Sequence, residues 1–199
     1  MTIRSILAAA AIALSTTCAH AADGKSAQEL VSKLLSVRAA TYDFVQFGPK
    51  GDQTTGRLKV QRPGRIRFEY QEGSPLLVVA DGRSLAVHNS RLKTWNLYPL
   101  DKTPLGFMLA ESFDPSKVKI VSNDVSGNIT SVGVSDPAVF GDTSVRLVFD
   151  NADGSLKQWT VRDSRGSDTT VLLYNGREGG SFDGRDFEIP YTQIRTGEK

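Results

Sequence analysis

Residues 58–70 read Leu-Lys-Val-Gln-Arg-Pro-Gly-Arg-Ile-Arg-Phe-Glu-Tyr, and side-chain polarity alternates on both sides of the Pro-Gly pair. Even positions carry the apolar residues Leu58, Val60, Ile66, Phe68 and Tyr70, whereas positions 59, 61, 65, 67 and 69 are polar. A period of two is typical of strands with one buried and one solvated face. The stretch therefore predicts sheet structure that covers an apolar interior with its even face.

Arg62 stands at an even position within this pattern. If Pro63-Gly64 keeps the register, its guanidinium points to the apolar side, where an unpaired charge costs several kcal/mol. Carbonyl oxygens at a helix C-terminus or the polar head of a ligand would then serve as its partners. The alternative is a turn or bulge at Pro63-Gly64 that directs Arg62 to solvent.

The same period of two extends along most of the chain, with turn sequences such as Pro63-Gly64 and Asp81-Gly82 between the segments. About eleven short strands at this spacing favour one antiparallel sheet or barrel over a βαβ fold. We expect a single domain over residues 22–199. The predicted strands are 41–47, 57–61, 65–71, 76–80, 84–89, 93–97, 118–122, 129–134, 145–150, 156–163 and 169–174.

Two segments predict helices. Ser26 and Glu29 have the spacing of a capping box, and an apolar stripe that includes Leu30 and Leu34 follows them. Residues 103–111 form a second, short helix with Thr103 as N-cap and Pro104 in the first position. The second helix is apolar around most of its circumference, so it must be buried on two sides.

Residues 76–80, Leu-Leu-Val-Val-Ala, are apolar at both parities, so both faces of that strand require cover. A β protein with only two helices has few elements that could cover both faces of this strand. The surplus apolar surface indicates either unusual packing or a ligand.

The N-terminus has the features of a secretory signal. Arg4 precedes the apolar run 6–14, and Ala19-His20-Ala21 is a small-x-small cleavage site. We expect residues 1–21 to be a cleaved signal peptide. A rival interpretation makes Cys18 a lipid-attachment cysteine, but Ser15-Thr16-Thr17 does not resemble a lipobox.

Composition argues against several classes of function. The chain has 199 residues, with 24 Lys and Arg against 22 Asp and Glu, which leaves little positive charge for nucleic acid. After the signal, His88 is the only histidine and no cysteine remains, so we expect no metal or other cofactor. Neither a nucleophile elbow nor a P-loop is present, and His88 in a strand is better explained as a structural residue. We therefore expect no enzymatic activity, a secreted hydrolase being the less favoured alternative.

Residues 62–70 resemble the Arg-Pro-Gly-x-Phe-Arg-Trp-x-Tyr stretch of the periplasmic outer-membrane lipoprotein carriers of the LolA type, with Ile66 and Phe68 in place of the family's Phe and Trp. Both replacements stay apolar. The resemblance extends over essentially the whole chain after the signal. Its further matches are Phe44-x-Gln46, Gly56-x-Leu58, Asp81-Gly82-x-x-Leu85, Asn89, Thr103-Pro104 with Leu109, and Phe187-x-Ile189-Pro190.

The resemblance implies an incomplete antiparallel β-barrel whose apolar concave face is covered by a lid of short helices and binds lipoprotein acyl chains. Arg62 would govern the lid through carbonyls near Leu109 and Ala110. Two sets of residues are assigned, one to the cavity and one to the lid. Each of these positions is equally compatible with ordinary core packing. The cavity set is Leu58, Val60, Ile66, Phe68 and Tyr70, and the lid set is Leu30, Leu34, Leu105, Phe107, Met108 and Leu109.

The implied partners are lipoproteins, an inner-membrane lipoprotein-releasing ABC transporter and an outer-membrane acceptor, and we expect a periplasmic monomer. Two alternatives share this fold. One is a lipid-anchored receptor, which requires a lipidated Cys18, and the other is a sensor of mislocalised lipoproteins, for which we expect an additional domain.

Overall fold

The computed structural model describes residues 25–115 and 118–196. The predicted signal peptide, residues 1–21, lies outside the described residues, as does Cys18. Within the described part of the chain, no helix is both long enough and apolar enough to span a lipid bilayer.

Eleven strands in the described residues form one sheet, in the number predicted from sequence. They are β1 (Ala39–Phe47), β2 (Gln53–Gln61), β3 (Arg65–Tyr70), β4 (Leu76–Asp81), β5 (Ser84–Asn89), β6 (Thr94–Pro99), β7 (Lys119–Ser126), β8 (Ile129–Ser135), β9 (Ser144–Asp150), β10 (Leu156–Arg162) and β11 (Asp168–Glu178).

The sheet is antiparallel throughout and open. Its order is β6-β5-β4-β3-β2-β1-β11-β10-β9-β8-β7, so two meanders meet where β1 pairs with β11. The edge strands β6 and β7 do not pair with each other, and the barrel is therefore incomplete, as predicted.

The face of the sheet that carries Leu58 is called the inner face here. Phe44 lies fully buried on it and makes edge contacts with the rings of Phe68 and Tyr70, with both centroid separations at 5.3 Å. These aromatic contacts follow from register, because Leu58 pairs with Phe68 and Gly56 with Tyr70 across β2 and β3. The alternation in residues 58–70 is thus confirmed as an inner and an outer face.

Helix α1 (Ala27–Ser36) begins at Ser26 with the predicted capping box and buries Leu30, Val31, Leu34 and Leu35. Helix α2 (Pro104–Met108) begins at Thr103, as predicted. Both helices add side chains to the same apolar cluster as the inner face. The fold is therefore an open sheet with helices over its apolar inner face.

Helix α2 ends at Met108, three residues before the predicted end at Glu111. The carbonyl oxygens of Met108 and Leu109 accept hydrogen bonds from Arg62 and Gly64 rather than from a further turn. A short 3₁₀ helix (Leu100–Lys102) precedes α2, and α3 (Pro137–Phe140) follows β8.

The C-terminal segment covers the outer face of β4 and β5. A second 3₁₀ helix (Gly184–Phe187) and α4 (Tyr191–Thr196) form this cover, in which Phe187 and Ile189 pack with Val79 and Ala86. The other face of β4 belongs to the main cluster through Val78 and Ala80. This packing explains why residues 76–80 are apolar at both parities.

Candidate functional site

Arg62 lies between the ends of both helices. Its side chain is buried, with 9% relative exposure. Nε and Nη2 donate to the Met108 carbonyl oxygen, at 3.2 and 2.9 Å, and Nη1 donates to the Val37 carbonyl oxygen at 2.7 Å. Val37 is the C-cap of α1, so one guanidinium bridges the C-terminal ends of α1 and α2.

The turn between β2 and β3 reinforces this bridge through its backbone. The Arg62 amide donates to the Arg38 carbonyl oxygen at 2.7 Å, and the Gly64 amide donates to the Leu109 carbonyl oxygen at 2.9 Å. Leu109 is the C-cap of α2 and Arg38 directly follows the C-cap of α1, so the turn bonds to backbone acceptors at the points where both helices end.

The structure decides between the two sequence interpretations of Arg62. Pro63-Gly64 does form a turn, yet Arg62 points inward and not to solvent. The side-chain acceptor on α2 is Met108, one residue before the predicted Leu109–Ala110 region, and the Val37 contact was not predicted.

Arg62 is charged at neutral pH. Burial lowers the pKa of its guanidinium to about 10, and the nearby Arg38 lowers it as well, but the value stays well above neutrality. A cation beside helix C-terminal carbonyls is electrostatically favourable. The bridge therefore combines charge with geometry that neither leucine nor lysine can reproduce.

A small apolar cavity of about 30 Å³ lies between the inner face and the two helices. It is lined by Leu34, Tyr42, Leu58, Val60, Arg62, Ile66, Leu105, Met108, Leu109, Leu156, Trp159 and Leu173. Its volume is about that of one water molecule and far below the roughly 150 Å³ of a cavity that binds benzene. In this conformation the interior is closed.

The cavity brings together eight of the twelve residues selected from the sequence: Arg62, Leu58, Val60, Ile66, Leu34, Leu105, Met108 and Leu109. Phe68, Leu30 and Phe107 are buried in the surrounding cluster, and Tyr70 is partly buried against it. Their roles in ligand contact stay predictions.

Sequence reasoning missed four cavity residues from β1, β10 and β11, which are Tyr42, Leu156, Trp159 and Leu173. Each was seen only as part of a strand. A signal was available for Tyr42, because it shares even parity with the buried Phe44 in β1. Leu156 is harder to place, because an irregularity between Leu156 and Gln158 shifts the β9–β10 register.

Helix α1 is also attached to the turn between β9 and β10. Lys33 Nζ donates to the Asp153 carbonyl oxygen, and Lys25 Nζ lies 3.5 Å from the Asn151 carbonyl oxygen. Gly154 packs against this helix, because a Cβ there would lie 3.2 Å from Lys33 Cδ. The β9–β10 turn thus contacts α1 along one side, while Arg62 bonds to the C-cap residue of the helix.

Tyr70 closes the inner face beside the aromatic cluster. Its hydroxyl donates to Gln46 Oε1 at 3.0 Å, and burial raises the pKa of the phenol to about 12 from its ordinary value of 10.0. The phenol is therefore neutral at physiological pH and able to donate.

Replacing Tyr70 with Phe is expected to weaken the alkaline pH dependence of stability. The unfolded chain ionises this phenol near pH 10 and the folded chain near 12, so its stabilising contribution is complete below about pH 10 and is lost as pH rises toward 12. The loss amounts to about 2–3 kcal/mol over that window. Urea unfolding from pH 8 to 11 measures the slope, with the exposed Tyr98 changed to Phe as control. Equal slopes for wild type and Tyr70→Phe would contradict the expectation.

His88 lies away from the cavity. Its ring stacks on Trp95 at a centroid distance of 4.2 Å, across the β5–β6 pair. This contact agrees with a structural histidine.

The fold and the site together define a class: an open antiparallel half-barrel with an apolar interior, closed by two helices that a buried arginine joins. The family described as outer membrane lipoprotein carrier protein LolA matches residues 35–190, and the chain belongs to this family. The resemblance seen in the sequence is thereby confirmed.

The chain is similar to curated and solved members. Outer-membrane lipoprotein carrier proteins of Pseudomonas paraeruginosa and Azotobacter vinelandii are 23% and 27% identical to it, and the matches cover 89% and 93% of both chains in each pair. A solved LolA superfamily protein from Nitrosomonas europaea aligns with a TM-score of 0.46 at 11% identity, covering 83% of this chain and 99% of that one.

Proposed function

We propose that this protein is a periplasmic chaperone that binds lipoprotein acyl chains between the inner face and helices α1 and α2, and carries lipoproteins to the outer membrane. The observation that carries the proposal is the position of Arg62, which joins both helices over an apolar interior through carbonyl acceptors. Because these acceptors are neutral carbonyl groups, separating the helices from Arg62 leaves no second buried charge without a partner. Arg62 is in this view the residue that gates the lid.

Acyl chains have a strong reason to enter such an interior. Each buried methylene contributes about 0.8 kcal/mol, so a chain of about 16 carbons gains on the order of 12 kcal/mol on leaving water. The closed cavity of about 30 Å³ holds only a small part of one chain. Binding therefore requires the helices to move away from the sheet, and the stability of the closed state sets the affinity.

Membership of a lipoprotein carrier family supports lipoproteins as the cargo. A lipoprotein cargo in turn implies a route from the inner membrane to the outer membrane. We infer that residues 1–21 direct export and are removed, and that residues 22–199 work as one monomeric domain. An inner-membrane ABC transporter would load the carrier and an outer-membrane acceptor would unload it. The proposed role is binding and release, with no catalytic step and no cofactor.

A release assay tests the proposal. Spheroplasts that synthesise a labelled lipoprotein are incubated with the purified mature protein, and the soluble fraction is assayed for a complex of the two. We expect labelled lipoprotein to appear in that fraction only when the protein is added. If none appears, the carrier function is wrong.

Binding of an acyl chain is expected to change the fluorescence of Trp159. Trp159 is 5% exposed and lines the cavity, whereas the second tryptophan, Trp95, packs on the outer face. In a Trp95→Phe background, titration with a hexadecanoylated peptide should shift the emission of Trp159 as its surroundings are displaced. The Trp159→Phe variant, which keeps Trp95, should show no shift. A shift from Trp95 with none from Trp159 would place the ligand elsewhere.

A further inference from the structure

A second space lies directly beside the apolar cavity. It is an open groove of about 250 Å³ along the ends of β1, β10 and β11. Its lining includes Tyr42, Asp153, Leu156, Lys157, Leu173 and Glu178. Tyr42, Leu156 and Leu173 also line the cavity, so three shared side chains form the wall between the two spaces.

Tyr42 is the aromatic part of this wall. Its ring lies against the backbone of Gly176, where a Cβ would approach Tyr42 Cε1 to 2.7 Å. Burial raises the pKa of its phenol, Glu178 raises it further and Arg62 lowers it, which agrees with a ring between the groove and the cavity. Its hydroxyl has no hydrogen-bond partner among residues 25–115 and 118–196.

The loaded cavity has two routes outward. The route between α1 and α2 closes when Arg62 re-forms its contacts with Met108 and Val37. A route into the groove turns one aromatic ring and breaks no hydrogen bond of that ring.

We infer that the groove is the binding site for the polar end of an acylated peptide, with Tyr42 as the gate through which the lipid leaves the cavity. The inference rests on the proposed function and names a subsite for the same ligand. Lys157, Asp153 and Glu178 supply donors and acceptors at the groove surface for ester and peptide groups. The apolar Leu156 and Leu173 remain in contact with the first part of the acyl chain.

Site-specific crosslinking tests the position of the polar end. A photoreactive residue is placed at position 157, in the groove, and in a second variant at Asn96, an exposed position on the edge strand β6. The probe is a synthetic diacylglyceryl-cysteine peptide with 16-carbon chains and a fluorophore on its peptide. We expect labelling from position 157 at least about tenfold above labelling from position 96. If the probe binds but labels equally from both positions, the assignment of the groove to the polar end is wrong and the proposed function still stands. If the probe does not bind at all, both proposals are wrong.

The gate is tested by dissociation kinetics with the same probe. Tyr42→Ala removes the ring and is expected to speed dissociation about tenfold, whereas Tyr42→Phe keeps the ring and is expected to match the wild type. Circular dichroism confirms that each variant is folded, and crosslinking from position 157 decides the question alone if the alanine variant is not. Equal dissociation rates for a folded Tyr42→Ala protein and the wild type overturn the gate.

Discussion

Arg62→Leu is expected to bind an acylated peptide about 30-fold more tightly than the wild type and to pass it on poorly to an acceptor. Leucine leaves the carbonyl oxygens of Met108 and Val37 without their donor, at about 1–3 kcal/mol for each buried group. Part of this is offset, because a buried cation and its desolvation cost are removed as well. We take the net destabilisation of the closed state as about 2 kcal/mol, which corresponds to a change of about 30-fold in apparent affinity.

Whether the apparent affinity rises or falls depends on which conformation, closed or open, the substitution destabilises. The ligand requires separated helices, and Arg62 stabilises the helices when they are closed. Weakening the closed state raises the fraction of protein that is competent to bind, so apparent affinity rises and release slows. Equilibrium titration with a 16-carbon acylated peptide and a transfer assay to acceptor membranes measure the two effects.

Two variants control for charge and for position. Arg62→Lys keeps the charge but has no planar fork to bridge two carbonyls, and it should fall between wild type and leucine. Arg65→Leu removes an exposed arginine three residues along the same hairpin and should leave both measurements unchanged. Normal transfer by Arg62→Leu would show that the bridge does not govern the lid.

Most of the fold was predictable because the physical signals are local. Alternation over 58–70 identifies the inner face, and Asp81-Gly82 places a hairpin turn between β4 and β5. The capping box at Ser26 fixes the start of α1 before any tertiary contact is considered. Each of these signals lies within a few residues of the element it specifies.

The site was predictable only in part, because it depends on contacts between distant segments. The parity of Arg62 indicated that it points inward, but Val37 is 25 residues away and its carbonyl carries no side-chain signal. The cavity wall from β10 and β11 depends on the closing pair β1–β11, which local patterns do not reveal. The C-terminal cover of Val79 likewise comes from residues more than 100 positions further along the chain.

Gly106→Ala is expected to weaken the closed state without touching Arg62. An alanine Cβ at this position would lie 2.3 Å from the Leu100 carbonyl oxygen and 3.2 Å from Asp101 Cα, and both are backbone atoms. The Leu100 oxygen is already fixed, since it accepts from the Thr103 hydroxyl at 2.8 Å and the Thr103 amide at 3.0 Å. Helix α2 must therefore move away from the 3₁₀ helix, at a typical overpacking cost of about 1–3 kcal/mol.

We expect Gly106→Ala to tighten binding of the acylated peptide about tenfold or more, in the same direction as Arg62→Leu. Gly184→Ala is the matched control, because a Cβ there meets nothing within 4 Å. The double variant should gain less than the sum of the two single effects, since both changes disturb the same docking of α2 and coupled sites are not additive. If Gly106→Ala lowers the free energy of unfolding but leaves peptide affinity unchanged, α2 is not the element that moves, and the arginine acts through α1 alone.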